Sequence, residues 1–141
     1  MKHPSAHHSF EEHTGEVRLE VTATSPEELF AEAGRALAEL MLGEIPEYPP
    51  ASASAQVVDV RAPDRAALLV EWLNELIFLS ETSKQVFTQF EVEYASETSV
   101  RAVVAGVAPE ALKTAVKAAT LHGVSMEHRS GSWGASVVLD V

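Results

Sequence analysis

The spacing of apolar residues changes along this chain, and that change constrains the fold more than any other feature. Two segments carry apolar residues every three or four positions, the spacing of a helix with one buried face. Other segments alternate apolar and polar residues, as strands with one buried face do. The 141 residues suffice for one domain. Because the chain has no cysteine, it has no disulfide bonds, and its stability must come from packing of the core. The sequence therefore predicts an α+β fold: a two-layer sandwich, with a mostly antiparallel sheet and two main helices on one face.

The first helix is predicted within the stretch TSPEELFAEAGRALAELMLG. Ser25 can cap its start, Pro26 suits the first helical position, and Glu28 completes a capping box. Gly43 suits the stop, because helices commonly end on a left-handed residue, a conformation that glycine adopts without strain. The stripe expected to face the core consists of Leu29, Phe30, Ala33, Leu37, Leu40 and Met41.

A second helix is predicted from a cap at Asp64 to about Ser80. Its apolar face is dense and should form the spine of the core: Leu68, Leu69, Trp72, Leu73, Leu76 and Ile77. Glu71 and Glu75, with Asn74 between them, are placed on the opposite face and interpreted as solvated.

Strands are predicted from period-two alternation at residues 10–23, about 55–61, 90–94, 100–104 and 133–139. The third and fourth should pair as a hairpin around the polar turn 96–99. The segment PEALKTAVKAATLHGVSMEH is ambiguous, and a short helix or turn followed by a strand is the preferred interpretation. EIPEYPPASAS is interpreted as a surface connection rather than a domain boundary.

The N-terminal stretch contains three histidines, His3, His7 and His8. They can chelate a transition metal, or they can belong to a disordered tail with no role, which is the preferred interpretation. The sequence accordingly predicts a flexible tail over residues 1–9 and one domain over residues 10–141.

The charge of the chain limits its partners. Ten basic residues stand against 21 acidic ones, a formal net charge of -11. This charge repels phosphate backbones, so direct, extensive binding of nucleic acid is not expected, and a cationic partner or a metal ion suits it better. No apolar run approaches a membrane span and MKHPSAHHSF has no hydrophobic signal segment, so the sequence predicts a cytoplasmic protein with no membrane partner.

The last two residues bring negative charges together. In SWGASVVLDV the alternation runs to Leu139, and Asp140 and the free carboxylate of Val141 follow at once. Both are tethered to a strand, which limits their freedom to separate, and a divalent cation would cancel their repulsion. From spacing alone, a frayed terminus in water explains the pair as well or better.

Other polar residues have plain interpretations when taken singly. His13 and Thr14 suit a strand-entry turn, and Glu16 is a solvated acid. Lys117 is either a solvated surface charge or a group that reaches a phosphate or a partner's carboxylate. The same two interpretations, a solvated surface residue or a binding residue, apply to His122. With no phosphate loop, nucleophile elbow or helical pair of metal-ligating histidines in the sequence, no catalytic residue is predicted.

Four stretches taken together resemble the archease family: FEEHTGEVRLEV, LLVEWLNELIFLSET, VKAATLHGVSMEH and WGASVVLDV. The resemblance runs nearly end to end and keeps the family's order and approximate spacing. It implies a non-catalytic activator of the RNA-splicing ligase that joins 3'-phosphate or 2',3'-cyclic-phosphate ends to 5'-hydroxyl ends. Such an activator promotes guanylylation of the ligase and its multiple turnover, while the ligase itself binds GTP.

The resemblance also implies a site. Archease proteins carry an acidic metal site built from an aspartate after a His-Thr pair, the penultimate aspartate and the terminal carboxylate. The matching positions here are Glu16, Asp140 and the carboxylate of Val141, which would bind calcium, magnesium or manganese. Lys117 matches the family's functional lysine. Where the family usually has Ala-Asp this chain has Gly15 and Glu16, which keeps the charge and extends its reach by one methylene.

His13 and Thr14 match the family's motif, and with His122 they are expected to shape this corner rather than to bind the metal. Two rival functions stay open beside ligase activation. One is a general chaperone or modulator of another RNA-modifying enzyme, which would use the acidic surface broadly. The other is a metal-dependent hydrolase, for which the sequence offers no visible nucleophile or base.

Overall fold

A computed structural model describes residues 6–44 and 55–141. Its elements in chain order are β1 (His7–His13), β2 (Glu16–Ala23), α1 (Pro26–Leu42), β3 (Gln56–Arg61), α2 (Arg65–Ser83), β4 (Val86–Ala95), β5 (Ser99–Val107), β6 (Ala118–Arg129) and β7 (Ser132–Asp140). All strand pairs are antiparallel, in one sheet ordered β1-β2-β7-β6 and another ordered β3-β5-β4. The predicted α+β class is confirmed, with the strands divided between two sheets instead of lying in one.

Both helices begin at the predicted caps. Ser25 Oγ accepts a hydrogen bond from the Glu28 N–H at 3.1 Å, and Gly43 ends α1 with a φ of 88°. Asp64 caps α2 in the same way, at 2.9 Å from the N–H of the third helical residue, and α2 runs to Ser83. Within the described residues, neither helix is long and apolar enough to cross a membrane.

Trp72 joins three elements at the centre of the core. Its side chain is fully buried, and its indole N–H donates to the Phe30 carbonyl oxygen at 3.0 Å. Its ring meets the Phe30 ring edge-on, with centroids 6.0 Å apart, and lies 6.2 Å from that of Phe90. The predicted spine helix α2 is thus fixed against α1 and β4 by one aromatic residue.

The prediction for the N-terminal region is wrong in two respects. Residues 7–9, assigned to a flexible tail, belong to β1, and residues 10–23 form a hairpin of β1 and β2 rather than one strand. The inward-facing residues change parity between Phe10 and Val17, which is what a two-residue turn in between requires. Residues 1–5 of the expected tail, and residues 45–54 of the expected surface connection, lie outside the described residues.

Residues 108–117 contain no helix, so of the two interpretations of this segment the turn followed by a strand is confirmed. The N–H groups of Lys113 and Thr114 both point at the Met41 carbonyl oxygen, at 2.8 and 3.4 Å. The segment therefore bonds to the last turn of α1, and this long-range partner replaces the local bonds of a helix.

Candidate functional site

Three strand ends meet at one corner of the four-stranded sheet. β7 lies between β2 and β6, and the register pairs Asp140 with Glu16 on one side and with Ala118 on the other. Directly opposite residues of antiparallel strands project to the same face. The adjacent pair, Val17 and Leu139, is buried, so Glu16 and Asp140 project from the outer face of the sheet. We call Glu16, Lys117, Asp140 and Val141 the Glu16–Asp140 corner.

Main-chain hydrogen bonds hold this corner from both sides. The N–H of Lys117 donates to the Asp140 carbonyl oxygen at 2.8 Å, and the N–H of Val141 donates to the Gly15 carbonyl oxygen at 3.1 Å. Val141 also packs against the hydrophobic core. The alternative of a terminus frayed in water is therefore wrong, and residues 140 and 141 are held in place without their carboxylates.

The turn before Glu16 requires glycine for its backbone conformation. Gly15 has a φ of 74°, in the left-handed region that side chains disfavour, while a Cβ built there would meet no atom within 4 Å. His13 and Glu16 pair across this turn, so Thr14 and Gly15 are its two central residues. The glycine thereby sets where β2 begins, and Glu16 is its first residue.

The charged side chains of the corner make no internal ion pair. Within the part of the chain that the structure describes, no salt bridge up to 4.0 Å involves Glu16, Lys117 or Asp140. Arg18, the nearest cation on the same face of β2, instead donates to the Ser136 hydroxyl at 3.0 Å. The two carboxylates and the ammonium group thus keep their charges available to an external partner.

The other predicted site residues are placed differently from one another. His13 pairs with Glu16 in the register, but its Nε2 lies 3.1 Å from a Glu11 carboxylate oxygen, so its side-chain partner is outside the corner. Thr14 is an exposed residue of the turn. His122 lies in an excursion of β6 over residues 121–124, where the register with β7 shifts, and its N–H donates to the Thr120 hydroxyl. The structure thus places His13 and Thr14 beside the corner, whereas His122 has no paired residue on β7.

The donor atoms at the corner suit a hard cation, since carboxylate oxygens are the ligands that calcium, magnesium and manganese prefer. The register supplies two carboxylate side chains, Glu16 and Asp140. Over residues 6–44 and 55–141 there is no group of three or more histidine, cysteine, aspartate or glutamate side chains placed to hold a metal ion. Glu16 and Asp140 therefore do not by themselves form a metal site among the described residues.

Asn74 is a polar contact of this region that the sequence pattern did not single out. Interpreted from the sequence as part of a solvated stretch, it bonds through its side-chain amide to both backbone groups of Ala119 on β6. Val70 and Ile77, four residues before and three after it, are buried. A polar residue at the margin of an apolar helical face was the available signal, because such a position lies against a neighbouring element.

Comparison with known sequences gives a match of residues 8–141 to the model of the Archease protein family (MTH1598/TM1083). A protein archease from Methanosarcina mazei is 31% identical over 138 residues, which is 92% of this chain and 92% of that protein. A protein archease from Methanopyrus kandleri is also 31% identical, over 137 residues, covering 92% of this chain and 96% of that protein.

Solved structures show the same fold. The solution structure of protein 1598 from Methanobacterium thermoautotrophicum has a TM-score of 0.71 at 22% identity and covers 95% of this chain and 98% of its own. The crystal structure of an archease from Thermotoga maritima, described as a possible chaperone, has a TM-score of 0.65 at 19% identity, with coverage of 100% and 98%.

Proposed function

The chain belongs to the archease family, and from that membership we propose that it is a non-catalytic activator of an RNA-splicing ligase. In this role it promotes guanylylation of the ligase and its multiple turnover in tRNA splicing or RNA repair. The ligase binds GTP and handles the RNA, while this chain contacts the ligase and, with a net charge of -11, has no extensive RNA contact of its own. A location in the cytoplasm stays a prediction of the sequence.

One observation carries the proposal. The fold brings residues from the beginning and end of the chain, Glu16 and Asp140, into direct register, with Lys117 bonded to the same strand end. Carboxylates side by side repel each other, and no cation of the described residues forms a salt bridge with either one. Two acids and a lysine that lie close together without an ion partner in the described residues can bind an external partner.

Each group of the corner has a role that its chemistry supports. Glu16 and Asp140 offer oxygen atoms to a divalent cation or to a basic group of the ligase, with the carboxylate of Val141 as a third donor. A cation bound there would offset their repulsion and could polarise a phosphate oxygen at the nucleotide site of the ligase. Lys117 offers an ammonium group to a phosphate or a carboxylate of the complex. The main-chain bonds around these residues fix the positions from which they act.

The direct test is transfer of labelled GMP from GTP to a cognate ligase, with and without this protein, over a titration of manganese. We expect the wild type to stimulate transfer. Asp140→Ala should abolish stimulation with folding intact, because the bonds at the corner come from the main chain of residue 140 and not from its carboxylate. Glu16→Ala and Lys117→Ala should reduce it.

Glu127→Ala is the matched control. Glu127 is an exposed acid of the same sheet, at the opposite end of the β6–β7 pair, and its ion partner is the exposed Arg129. Its loss removes the same charge, so stimulation should stay at the wild-type level. Full stimulation by Asp140→Ala would contradict the proposal, and so would equal losses in Asp140→Ala and Glu127→Ala.

A second candidate is a general chaperone or a modulator of another RNA-modifying enzyme. The description of the Thermotoga maritima structure as a possible chaperone favours it. Such a role would use the acidic surface broadly, so that charge reversal at many exposed positions would matter as much as at the corner. The guanylylation assay separates the two, because a general chaperone would protect the ligase from aggregation without changing the initial rate of GMP transfer.

A further inference from the structure

β6 is an edge strand of the four-stranded sheet, and its outer edge is covered at one point by a side chain of α2. Asn74 Nδ2 donates to the Ala119 carbonyl oxygen at 3.1 Å, and the Ala119 N–H donates to Asn74 Oδ1 at 2.8 Å. One amide therefore satisfies both backbone groups of one residue, as a neighbouring strand would.

These bonds lie two residues from Lys117. Lys117 lies just before β6, which starts at Ala118, so the alternation of a regular strand does not yet hold at its backbone. On the β7 side, the Lys117 N–H donates to the Asp140 carbonyl oxygen, and on the α2 side Asn74 bonds to Ala119. The short stretch 117–119 is thus hydrogen-bonded both to β7, which carries Asp140, and to α2, which carries Asn74.

The residues before this stretch do not hold it in place through regular secondary structure. Residues 108–117 have no regular secondary structure, and β6 starts only at Ala118. After Thr120 the register with β7 shifts through the excursion 121–124. The regular part of β6 beside the corner is therefore short: residues 118–120 pair with β7 on one side, and Asn74 bonds to Ala119 from α2.

We infer that Asn74 is a positioning residue for the Glu16–Asp140 corner, acting through Ala119 on Lys117. It does not reach a ligase, a nucleotide or a cation. It fixes the distance between α2 and the start of β6, and thereby the point from which the Lys117 side chain extends relative to Asp140. The inference rests on the proposed function, which gives the position of Lys117 its importance.

The test uses Asn74→Ala, which removes both hydrogen bonds, and Asn74→Asp, which keeps the acceptor for the Ala119 N–H and loses the donor. We expect Asn74→Ala to lower stimulation of ligase guanylylation by about tenfold, the effect of losing roughly one net hydrogen bond of positioning. Asn74→Asp should lose at least as much, because its second carboxylate oxygen would face the Ala119 carbonyl oxygen, and two acceptors repel. Glu75→Ala, a change in the next residue of the same helix, should leave stimulation unchanged.

A double-mutant cycle with Lys117→Ala separates positioning from a loss of overall stability. If Asn74 acts through Lys117, adding Asn74→Ala to Lys117→Ala costs nothing further. Additive losses would overturn the inference, and so would full stimulation by Asn74→Ala.

Amide hydrogen exchange keeps the test independent of the ligase. In Asn74→Asp and Asn74→Ala, the Lys117 and Ala119 amides should exchange faster while amides of the three-stranded sheet keep their protection. Unchanged exchange at Lys117 would overturn the inference. A wild-type protein that fails to stimulate any ligase would refute the proposed function, and the exchange result would still decide whether Asn74 holds Lys117 in place.

Discussion

His8 has a carboxylate against each of its two ring nitrogens. Nδ1 lies 2.6 Å from a Glu32 oxygen and Nε2 lies 3.1 Å from a Glu39 oxygen, so the doubly protonated ring satisfies both. The hydrogen bond to Glu32 raises the pKa of His8, although burial opposes the shift. Burial acts to raise the pKa of Glu32, but the bond to His8 and the charge of Arg35 outweigh it and hold this pKa below its ordinary value.

The stability contributed by this cluster should be greatest in mildly acidic solution. A raised pKa of His8 stabilises the fold fully below the ordinary value of 6.5, and the contribution is lost as pH rises through the folded pKa. A lowered pKa of Glu32 stabilises the fold above its ordinary value of 4.5, and that contribution is lost as pH falls through the folded pKa. We expect His8→Gln to lower the free energy of unfolding by about 2 kcal/mol between these values and by less in alkaline solution, measured by urea denaturation.

His7→Gln is the control, because His7 is exposed on the outer face of β1 and its ring bonds to the Thr22 hydroxyl. A loss in His8→Gln that is independent of pH would contradict the assignment of the charged form. The role of His8 was not predictable from local sequence. Its partners lie 24 and 31 residues further along, on a helix whose contact with β1 depends on the whole sheet.

At the scale of elements, β4 and β5 approach so closely at one point that only glycine fits. Gly106 pairs with Phe87 beside a register shift of β4, and a Cβ at residue 106 would overlap the backbone carbonyl of Val86. The overlap is with backbone, so no side-chain rotation relieves it. We expect Gly106→Ala to destabilise the protein by about 3 kcal/mol or more, measured by thermal or urea unfolding.

Gly134→Ala is the matched control for this prediction. Gly134 also lies within a strand, β7, but the nearest atom to its added Cβ is the Val21 carbonyl oxygen at 4.0 Å, an ordinary contact. The substitution should be neutral or slightly stabilising, because alanine reduces the freedom of the unfolded chain. Equal losses in the two variants would show that a strand glycine matters here for a reason other than the overlap.

The elements that the sequence predicted well are those whose signals are local. The caps at Ser25 and Asp64 bond to N–H groups within their own first helical turns, so a few residues decide them. The hairpin of residues 96–99 is equally local. What stayed open or failed is non-local: the choice between helix and turn over residues 108–117 involves the bonds of Lys113 and Thr114 to Met41, and the division into two sheets depends on which strands pair.

The candidate site divides in the same way. The resemblance to a family selected Glu16, Lys117 and Asp140, and the register of β2 and β7 places the first and third side by side. No spacing in the sequence shows that these positions meet, since they lie near opposite ends of the chain. Asn74 escaped prediction because its partner is a backbone group, which has no signature in the sequence.

For the whole molecule, the dominant electrostatic feature is its net negative charge of -11, from 21 acidic and ten basic residues. Like charges on a compact body repel more than on an unfolded chain, and added salt shortens the range of this repulsion. We expect the melting temperature to rise by about 3 °C when sodium chloride is raised from about 10 mM to about 150 mM, a shift equivalent to roughly 1 kcal/mol in a domain of this size. A melting temperature that falls would mean that attraction within exposed ion pairs, such as Glu127 with Arg129, outweighs the repulsion.

The place of β7 between β2 and β6 has a consequence for biosynthesis. Until residues 132–140, which form β7, emerge from the ribosome, β2 and β6 each lack a neighbouring strand, and their apolar faces are exposed. The strands of the other sheet are all made earlier and can pair first. Newly made chains should therefore be prone to aggregate before β7 is available, and the Glu16–Asp140 corner cannot form until then.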